Sequence, residues 1–170
     1  ASTTQKVGDK AVRKNTRNVV GGGENSETDL FVNYLNDYKA NAEDSAFGGH
    51  VETFIKATSS AVEQANGDRI QQLVSGGVSL IQYFGHSSAN TLAFNLNSPE
   101  VYTNDSKYPF FNVSGCSAGN FYIFDPARLA GNATLSEKWV LADQRGSLGF
   151  IAGTHLALPP FLHFFNDTFY

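Results

Sequence analysis

Two short apolar runs of this sequence each end in a turn of small residues. The first run is Val78-Ser79-Leu80-Ile81-Gln82-Tyr83-Phe84-Gly85-His86-Ser87-Ser88, with His86 at its tip. The second run is Tyr108-Pro109-Phe110-Phe111-Asn112-Val113-Ser114-Gly115-Cys116-Ser117-Ala118-Gly119-Asn120, with Cys116 at its tip. If both are neighbouring strands of a parallel sheet, their ends lie about 5 Å apart across the sheet. An imidazole and a thiol would then meet as base and nucleophile, which indicates a candidate cysteine peptidase centre.

Cys116 is the only cysteine in the 170 residues, which excludes a disulfide within the chain and a cysteine-rich metal site. A free thiol has a pKa of about 8.5, so a peptidase needs a nearby imidazole to form the thiolate and to protonate the leaving amine. The small residues around both positions leave room for a substrate backbone, and the backbone N–H groups of Ser87 and Cys116 are candidate oxyanion donors. The alternative interpretation is a buried core cysteine beside a hydrogen-bonded histidine.

The order of predicted elements favours an α/β fold with a parallel sheet. Apolar residues at helical spacing predict a helix over 28–43, after a capping box that runs from Ser26 to Asp29. Further predicted helices cover 68–75 and about 134–143, where Thr134 to Glu137 forms a second capping box. Further predicted strands cover 17–20, 51–57 and 147–153. Functional residues of such sheets gather at the carboxyl ends of strands, where both apolar runs place their reactive residues.

Length and charge limit the class of protein. The 170 residues fit one domain, which we place at 17–170, after a flexible leader over 1–16. The net charge of −4 and the lack of a Lys/Arg cluster argue against nucleic-acid binding. No apolar run reaches the roughly 18 residues of a membrane segment, and no histidine pair has metal-ligand spacing with a carboxylate. The sequence has no signal peptide and no methionine, so we expect it to be a piece of a longer protein.

The two runs resemble the histidine and cysteine blocks of the gingipain family of cysteine peptidases, family C25. The blocks are Phe84-Gly85-His86-Ser87-Ser88 and Gly115-Cys116-Ser117-Ala118-Gly119-Asn120, in the order that the family has. Similar segments at 19–23, 44–49, 135–137 and 146–154 extend the resemblance over nearly all of residues 17–170. Within the family, the chain is most similar to the sortase-like branch of the type IX secretion system, which removes sorting domains from exported proteins. Pro99-Glu100 and Lys107-Tyr108-Pro109 support that branch.

The resemblance implies a caspase-like three-layer α/β sandwich, with a mostly parallel sheet flanked by helices. It also implies a dyad of Cys116 and His86 that cleaves peptide bonds through an acyl-enzyme, with no cofactor and no metal in the chemistry. The implied substrate is a polypeptide such as the sorting domain of an exported protein, and the implied location is the periplasm or outer-membrane surface of a bacterium. Two positions depart from the family pattern: Ser87 replaces a common glycine, and Asn120 replaces a frequent aspartate.

Further residues are candidates for the substrate cleft. Asp29 aligns best with a family carboxylate that contributes to the pocket for the residue before the scissile bond. Its alternative role is a helix-cap carboxylate, which stabilises a helix by roughly 1 kcal/mol. Glu24, just past the turn of the first strand, and Asp29 are also candidates for a third residue that orients His86. Gly115 and His155, the latter following a strand end, are expected to line the cleft.

An aromatic segment near residue 170 is expected to form an exposed patch that packs against missing domains, through Phe161, Phe164 and Phe165. Two alternatives to a working peptidase stay open. One is a catalytically silent family member that binds exported proteins, which Asn120 favours. The other is a structural domain whose aromatic end docks into a larger assembly.

Overall fold

The computed structural model describes residues 15–21, 25–56, 60–94 and 96–170, and its centre is a five-stranded parallel sheet. The strands are β1 (Asn15–Gly21), β2 (His50–Ile55), β3 (Leu80–Gly85), β4 (Phe110–Ser114) and β5 (Gly149–Ala152). Their order across the sheet is β2-β1-β3-β4-β5, and each neighbouring pair is parallel. The α-helices of the described residues are α1 (Asn25–Glu43), α2 (Ser60–Gly76), α3 (Leu135–Leu141) and α4 (Pro159–Phe169).

Side chains alternate between the two faces of the sheet along each strand. Helices cover both faces, so the strand residues pack in two separate cores. From β3, Ile81 and Tyr83 enter a core with α2 and α3, whereas Phe84 enters a second core with α1 and α4. All three side chains are almost fully buried. Burial on both faces explains why β3 is apolar except at the buried Gln82, as is typical of a central parallel strand. The predicted three-layer α/β sandwich is confirmed.

The first core is closed by α3, whose Trp139 is fully buried and donates its indole N–H to the carbonyl of Leu96 at 2.8 Å. The predicted capping box of this helix is confirmed, because Glu137 bonds the backbone N–H and hydroxyl of Thr134. Arg128 adds two hydrogen bonds to the same carboxylate, at 2.6 and 2.9 Å. These hydrogen bonds lower the pKa of Glu137 to about 2, and those from Arg128 have the largest effect.

The second core attaches α4 to the sheet through buried amides. The side-chain oxygen of Asn166 accepts from Asn112 at 2.9 Å, and its NH₂ group donates to the hydroxyl of Ser114 at 2.6 Å. On the other side of α4, His163 stacks on Tyr34 of α1 and shares a 2.7 Å hydrogen bond with Tyr38. Buried polar groups need partners, so these bonds fix where α4 lies along β4.

Several element boundaries differ from those predicted. Helix α1 begins at Asn25, so Ser26 lies inside its first turn and the predicted cap at Ser26 is wrong. Helix α2 begins at Ser60 rather than 68, because packing through Ile70 and Val74 supports a first half that lacks an apolar stripe. Residues 1–14 lie outside the described residues, so the leader over 1–16 stays a prediction, while residues 15 and 16 begin β1. Within the described residues, each helix is too short or too polar to cross a bilayer.

Candidate active site

The two reactive residues follow the carboxyl ends of adjacent strands. Strands β3 and β4 pair in parallel, and the last paired residues are Phe84 and Ser114. His86 lies two residues after Phe84, and Cys116 lies two residues after Ser114, in the turns that leave the sheet. The predicted pairing of the two runs is therefore confirmed, and it places both turns at one edge of the sheet.

The two turns also touch each other. A Cβ atom added to Gly115 would lie 2.7 Å from the carbonyl oxygen of Gly85 and 2.9 Å from the Cβ of Ser87. It would come closer still to the hydroxyl oxygen of Ser87. Glycine at position 115 is therefore needed for this close approach of the two turns, and its place in the substrate cleft stays a prediction.

The turn that carries Cys116 is held from two sides. The hydroxyl of Ser87 donates to the carbonyl of Cys116 at 2.8 Å. The N–H of Ser117 donates to the carbonyl of His155 at 3.0 Å, and that of Gly119 to Gly153 at 3.0 Å. The turn is sharp, since Ser117 has a φ of 56°. The thiol itself is half-buried, with its sulfur 3.9 Å from the carbonyl oxygen of Ala157.

His86 is held by different partners. Its Nε2 lies 3.3 Å from Oε2 of Glu27, and its ring makes an edge contact with Phe31 at a centroid distance of 6.3 Å. Its carbonyl accepts a hydrogen bond from the hydroxyl of Tyr83. Burial raises the pKa of Tyr83 to about 12, so this phenol stays a protonated donor at neutral pH. The imidazole is 63% exposed and therefore accessible from solvent.

Glu27 is a site residue that sequence reasoning missed. It lies in the first turn of α1, where an acidic residue ordinarily complements the helix dipole. The available signal was its position just after β1, which pairs with β3 and so brings the start of α1 to the edge that holds His86. Asp29 follows two residues later, about 200° around the helix, and its side chain is exposed. Glu24 lies outside the described residues.

His155 contributes through its backbone. Its carbonyl holds Ser117, while its exposed imidazole accepts the N–H of Leu156 through Nδ1 at 2.6 Å. Outside the sheet ladder, no hydrogen bond within the described residues uses the N–H of Ser87 or of Cys116. Both groups stay expected oxyanion donors.

Asn120 places a buried side-chain oxygen near the same turn. Its Oδ1 has no hydrogen-bond partner among the described residues, although its backbone N–H donates to Ser117 at 3.0 Å. In the part of the chain that is described, no cluster of three His, Cys, Asp or Glu side chains is arranged to hold a metal ion. The described side chains at this edge of the sheet include the thiol of Cys116, the imidazole of His86 and the carboxylate of Glu27.

Comparison with known proteins identifies the family and the fold of the chain. The model of peptidase family C25 matches residues 3–170. Two solved structures are similar. One is the Arg-specific cysteine proteinase gingipain R (RgpB), with 16% sequence identity and a TM-score of 0.58. The other is the complex of Porphyromonas gingivalis RgpB pro- and mature domains, with 17% sequence identity and a TM-score of 0.59. Each match covers 89% of this chain. This chain spans only 34% of the length of the first structure's chain and 35% of the second's. Comparison with the curated proteins gives no match. At these identities the structures show a shared fold.

Proposed function

Because the chain belongs to peptidase family C25, we propose that it is a cysteine endopeptidase domain in which Cys116 is the nucleophile and His86 the proton carrier. The observation that carries the proposal is the contact between the two turns that bear these residues. The hydroxyl of Ser87, next to His86, bonds the carbonyl of Cys116 at 2.8 Å, so the turns are fixed relative to each other.

The proposed reaction forms and hydrolyses a thioester. The Cys116 thiolate attacks the scissile carbonyl carbon, and the N–H groups of Ser87 and Cys116 stabilise the resulting oxyanion. The C–N bond then breaks as the imidazolium of His86 gives its proton to the leaving amine. Water attacks the acyl-enzyme, His86 takes a proton from it, and the carboxylic acid leaves with the thiol restored. An amine in place of water would give transfer, as in a sortase.

Glu27 has a defined place in this reaction. A histidine has two ring nitrogens, and the one bonded to a carboxylate determines which is left for proton transfer. With Nε2 bonded to Glu27, Nδ1 is left to exchange a proton with the thiol. The carboxylate would also stabilise the imidazolium that forms in each half of the reaction. Glu27 is therefore a positioning residue for His86.

We further propose a sortase-like role, in which the domain removes sorting domains from exported proteins in the periplasm or at the outer-membrane surface of a bacterium. Its support is the resemblance of the histidine and cysteine blocks and of Pro99-Glu100 and Lys107-Tyr108-Pro109 to that branch. Asp29 is kept as a proposed substrate contact, because it is exposed on the helix whose first turn reaches His86.

Helix α4 is the proposed surface for packing against further domains. Phe161 and Phe164 are more than 70% exposed, and Phe165 is about half exposed. Phe165 and Ile151 line an open cavity of about 230 Å³ between β5 and α4. Such a contiguous apolar surface is typical of an interface. The solved complex of RgpB pro- and mature domains is a precedent for contacts between domains in a protein of this fold.

A catalytically silent binding domain is the second candidate. It is favoured by the separate partners of the two reactive groups, because the thiol lies near Ala157 while the imidazole lies near Glu27. The unpartnered oxygen of Asn120 points the same way, since an aspartate is frequent there in the family.

Alkylation of the thiol separates the two candidates, because Cys116 is the only cysteine and every label reports on it. The rate with iodoacetamide would be measured from pH 5.5 to 10 in the wild type and in His86→Ala. A dyad predicts a wild-type rate near pH 6 that is about tenfold above that of His86→Ala, with the rates converging near pH 10. His50→Ala is the matched control, since that side chain is similarly exposed, at 67%.

Peptide cleavage then tests turnover directly. Products of a peptide mixture would be identified by mass spectrometry with the wild type and with Cys116→Ser. Cleavage that disappears in Cys116→Ser supports the peptidase. Alkylation rates that do not depend on His86, together with no cleavage, would contradict the dyad and support the silent binding domain.

A further inference from the structure

We propose that the hydroxyl of Ser87 is a positioning group for Cys116, and that the side chain at position 87, together with the carbonyl of Gly85, limits position 115 to glycine. The catalytic part of this proposal rests on the peptidase function proposed above. Its structural part concerns hydrogen bonds and packing, which can be measured whether or not the protein turns over a substrate.

The peptide group that follows Cys116 is bonded at both ends. Its carbonyl accepts the hydroxyl of Ser87 at 2.8 Å, and its N–H, which belongs to Ser117, donates to the carbonyl of His155 at 3.0 Å. Ser87 follows β3 and His155 follows β5, so the two bonds come from loops on opposite sides of β4. Since a peptide group is planar, holding both ends fixes its orientation and restricts the backbone of Cys116, to whose Cα it is joined.

The conformation of this turn needs that support. Ser117 has a φ of 56°, in the left-handed region that is uncommon for residues other than glycine. A residue in such a conformation persists when its surroundings hold it. Replacing the hydroxyl of Ser87 by hydrogen removes one of the two bonds, so the peptide group can rotate and the thiol moves away from its reactive position.

The side chain of Ser87 lies where a side chain at position 115 would have to be. A Cβ atom at position 115 would lie 2.9 Å from the Cβ of Ser87 and closer to its hydroxyl oxygen. Ser87 therefore adds to the requirement for glycine at position 115. A chain with glycine at position 87 has no such clash from that side chain, although the carbonyl of Gly85, at 2.7 Å, still limits the space.

The first test compares Ser87→Ala with Ser87→Thr, which keeps a hydroxyl. Amide hydrogen exchange at Ser117 is expected to be about five- to tenfold faster in Ser87→Ala, as the loss of one neutral hydrogen bond predicts. We expect kcat to fall about ten- to a hundredfold with little change in KM, because a displaced nucleophile binds substrate but reacts slowly. Ser87→Thr is expected to restore both values.

The proposal is overturned if Ser87→Ala matches the wild type in Ser117 exchange. Unchanged exchange together with wild-type turnover would leave the proposed function standing and remove only the role of Ser87. A wild type without turnover would remove the proposed function, and the exchange rates would still decide the role of the hydroxyl.

The second test is a double substitution. Gly115→Ala is expected to lower kcat more than a hundredfold, or to lower Tm where folding is affected. Ser87→Gly/Gly115→Ala is expected to recover about tenfold of that kcat, or part of the Tm, because the residual clash with Gly85 makes the recovery partial. Ser88→Gly/Gly115→Ala is the matched control and should recover nothing, since Ser88 bonds Thr91 instead. Equal behaviour of the two double variants would show that positions 87 and 115 are not coupled.

Discussion

Oε2 of Glu27 lies 3.3 Å from Nε2 of His86, although 59 residues separate them in the chain. The contact exists because α1 starts at the carboxyl edge of the sheet, beside the turn that follows β3. Both side chains are about half exposed, at 45% and 63%, so the pair contributes little to stability. Its effect is expected in the orientation of the imidazole.

Glu27→Gln is therefore expected to lower kcat about three- to tenfold with KM nearly unchanged, since the amide holds the ring less strongly than the carboxylate. Steady-state kinetics on a cleaved peptide would measure both constants. Glu63→Gln is the matched control, because Glu63 occupies the first turn of α2 and its loss has the same effect on a helix dipole. A kcat for Glu27→Gln equal to that of the control would rule out the positioning role.

Tyr83 connects the core to the site, because its buried hydroxyl donates to the carbonyl of His86. Burial raises its pKa from 10.0 to about 12, so the folded state favours the protonated phenol. The stabilisation is present below pH 10 and is lost as the pH rises through 12. The free energy of unfolding should fall by up to about 2–3 kcal/mol in this window from this group.

Tyr83→Phe is expected to lose about 1–2 kcal/mol of stability at pH 7, because the carbonyl of His86 loses its donor. The variant should also lose less stability between pH 10 and 12 than the wild type does. Urea unfolding followed at pH 7, 10 and 11.5 would measure both effects. Tyr108→Phe is a control for the loss of a less buried phenol, since the hydroxyl of Tyr108 donates to the exposed Asp105. A parallel alkaline loss in Tyr83→Phe and wild type would contradict the prediction.

At the N-terminus of α3, Glu137 should account for most of the stability that is lost at low pH. Its pKa is lowered to about 2, first by the hydrogen bonds from Arg128 and then by those from Thr134. A carboxylate with a lowered pKa stabilises the fold above its unfolded value, near 4.5, and that stabilisation is lost as the pH falls towards 2. Because the side chain is about a quarter exposed, we expect about 1–2 kcal/mol after screening by solvent.

Glu137→Gln should therefore be less stable than the wild type by about 1–2 kcal/mol at pH 7, and the difference should shrink towards pH 2. Urea unfolding at pH 7, 4 and 2.5 would show the trend. Glu100→Gln, at an exposed position in another short helical turn, should change stability little at each pH. A Glu137→Gln difference that stays constant down to pH 2.5 would show that ionisation of this carboxylate is not the cause.

The central strands were predictable because their side chains are buried on both faces. The mostly apolar runs of β3 and β4 reflect burial along both strands, and the small residues after them mark where the sheet ends. The capping box at Thr134 was predictable for a different reason, since its partners are three residues apart. Local signals of this kind need no knowledge of the rest of the chain.

Other features depend on contacts between distant residues. The first half of α2 has no apolar stripe, so only the packing of its second half reveals the helix. The bonds from Asn166 to Asn112 and Ser114 join residues more than 50 positions apart. A polar residue within an apolar helix gives no indication in the sequence of which buried amide it will meet.

The α/β class, the two strands of the candidate site, and His86 and Cys116 at their tips could all be predicted from the sequence. This was possible because strand burial and turn composition are local properties of the chain. The tertiary structure was needed to show that Glu27 contacts His86, that the carbonyl of His155 accepts the N–H of Ser117, and that the side chain of Ser87 lies where a Cβ at position 115 would be. Those relationships depend on strand order and on the register between β3 and β4, which place residues from distant parts of the chain within a few ångströms of each other.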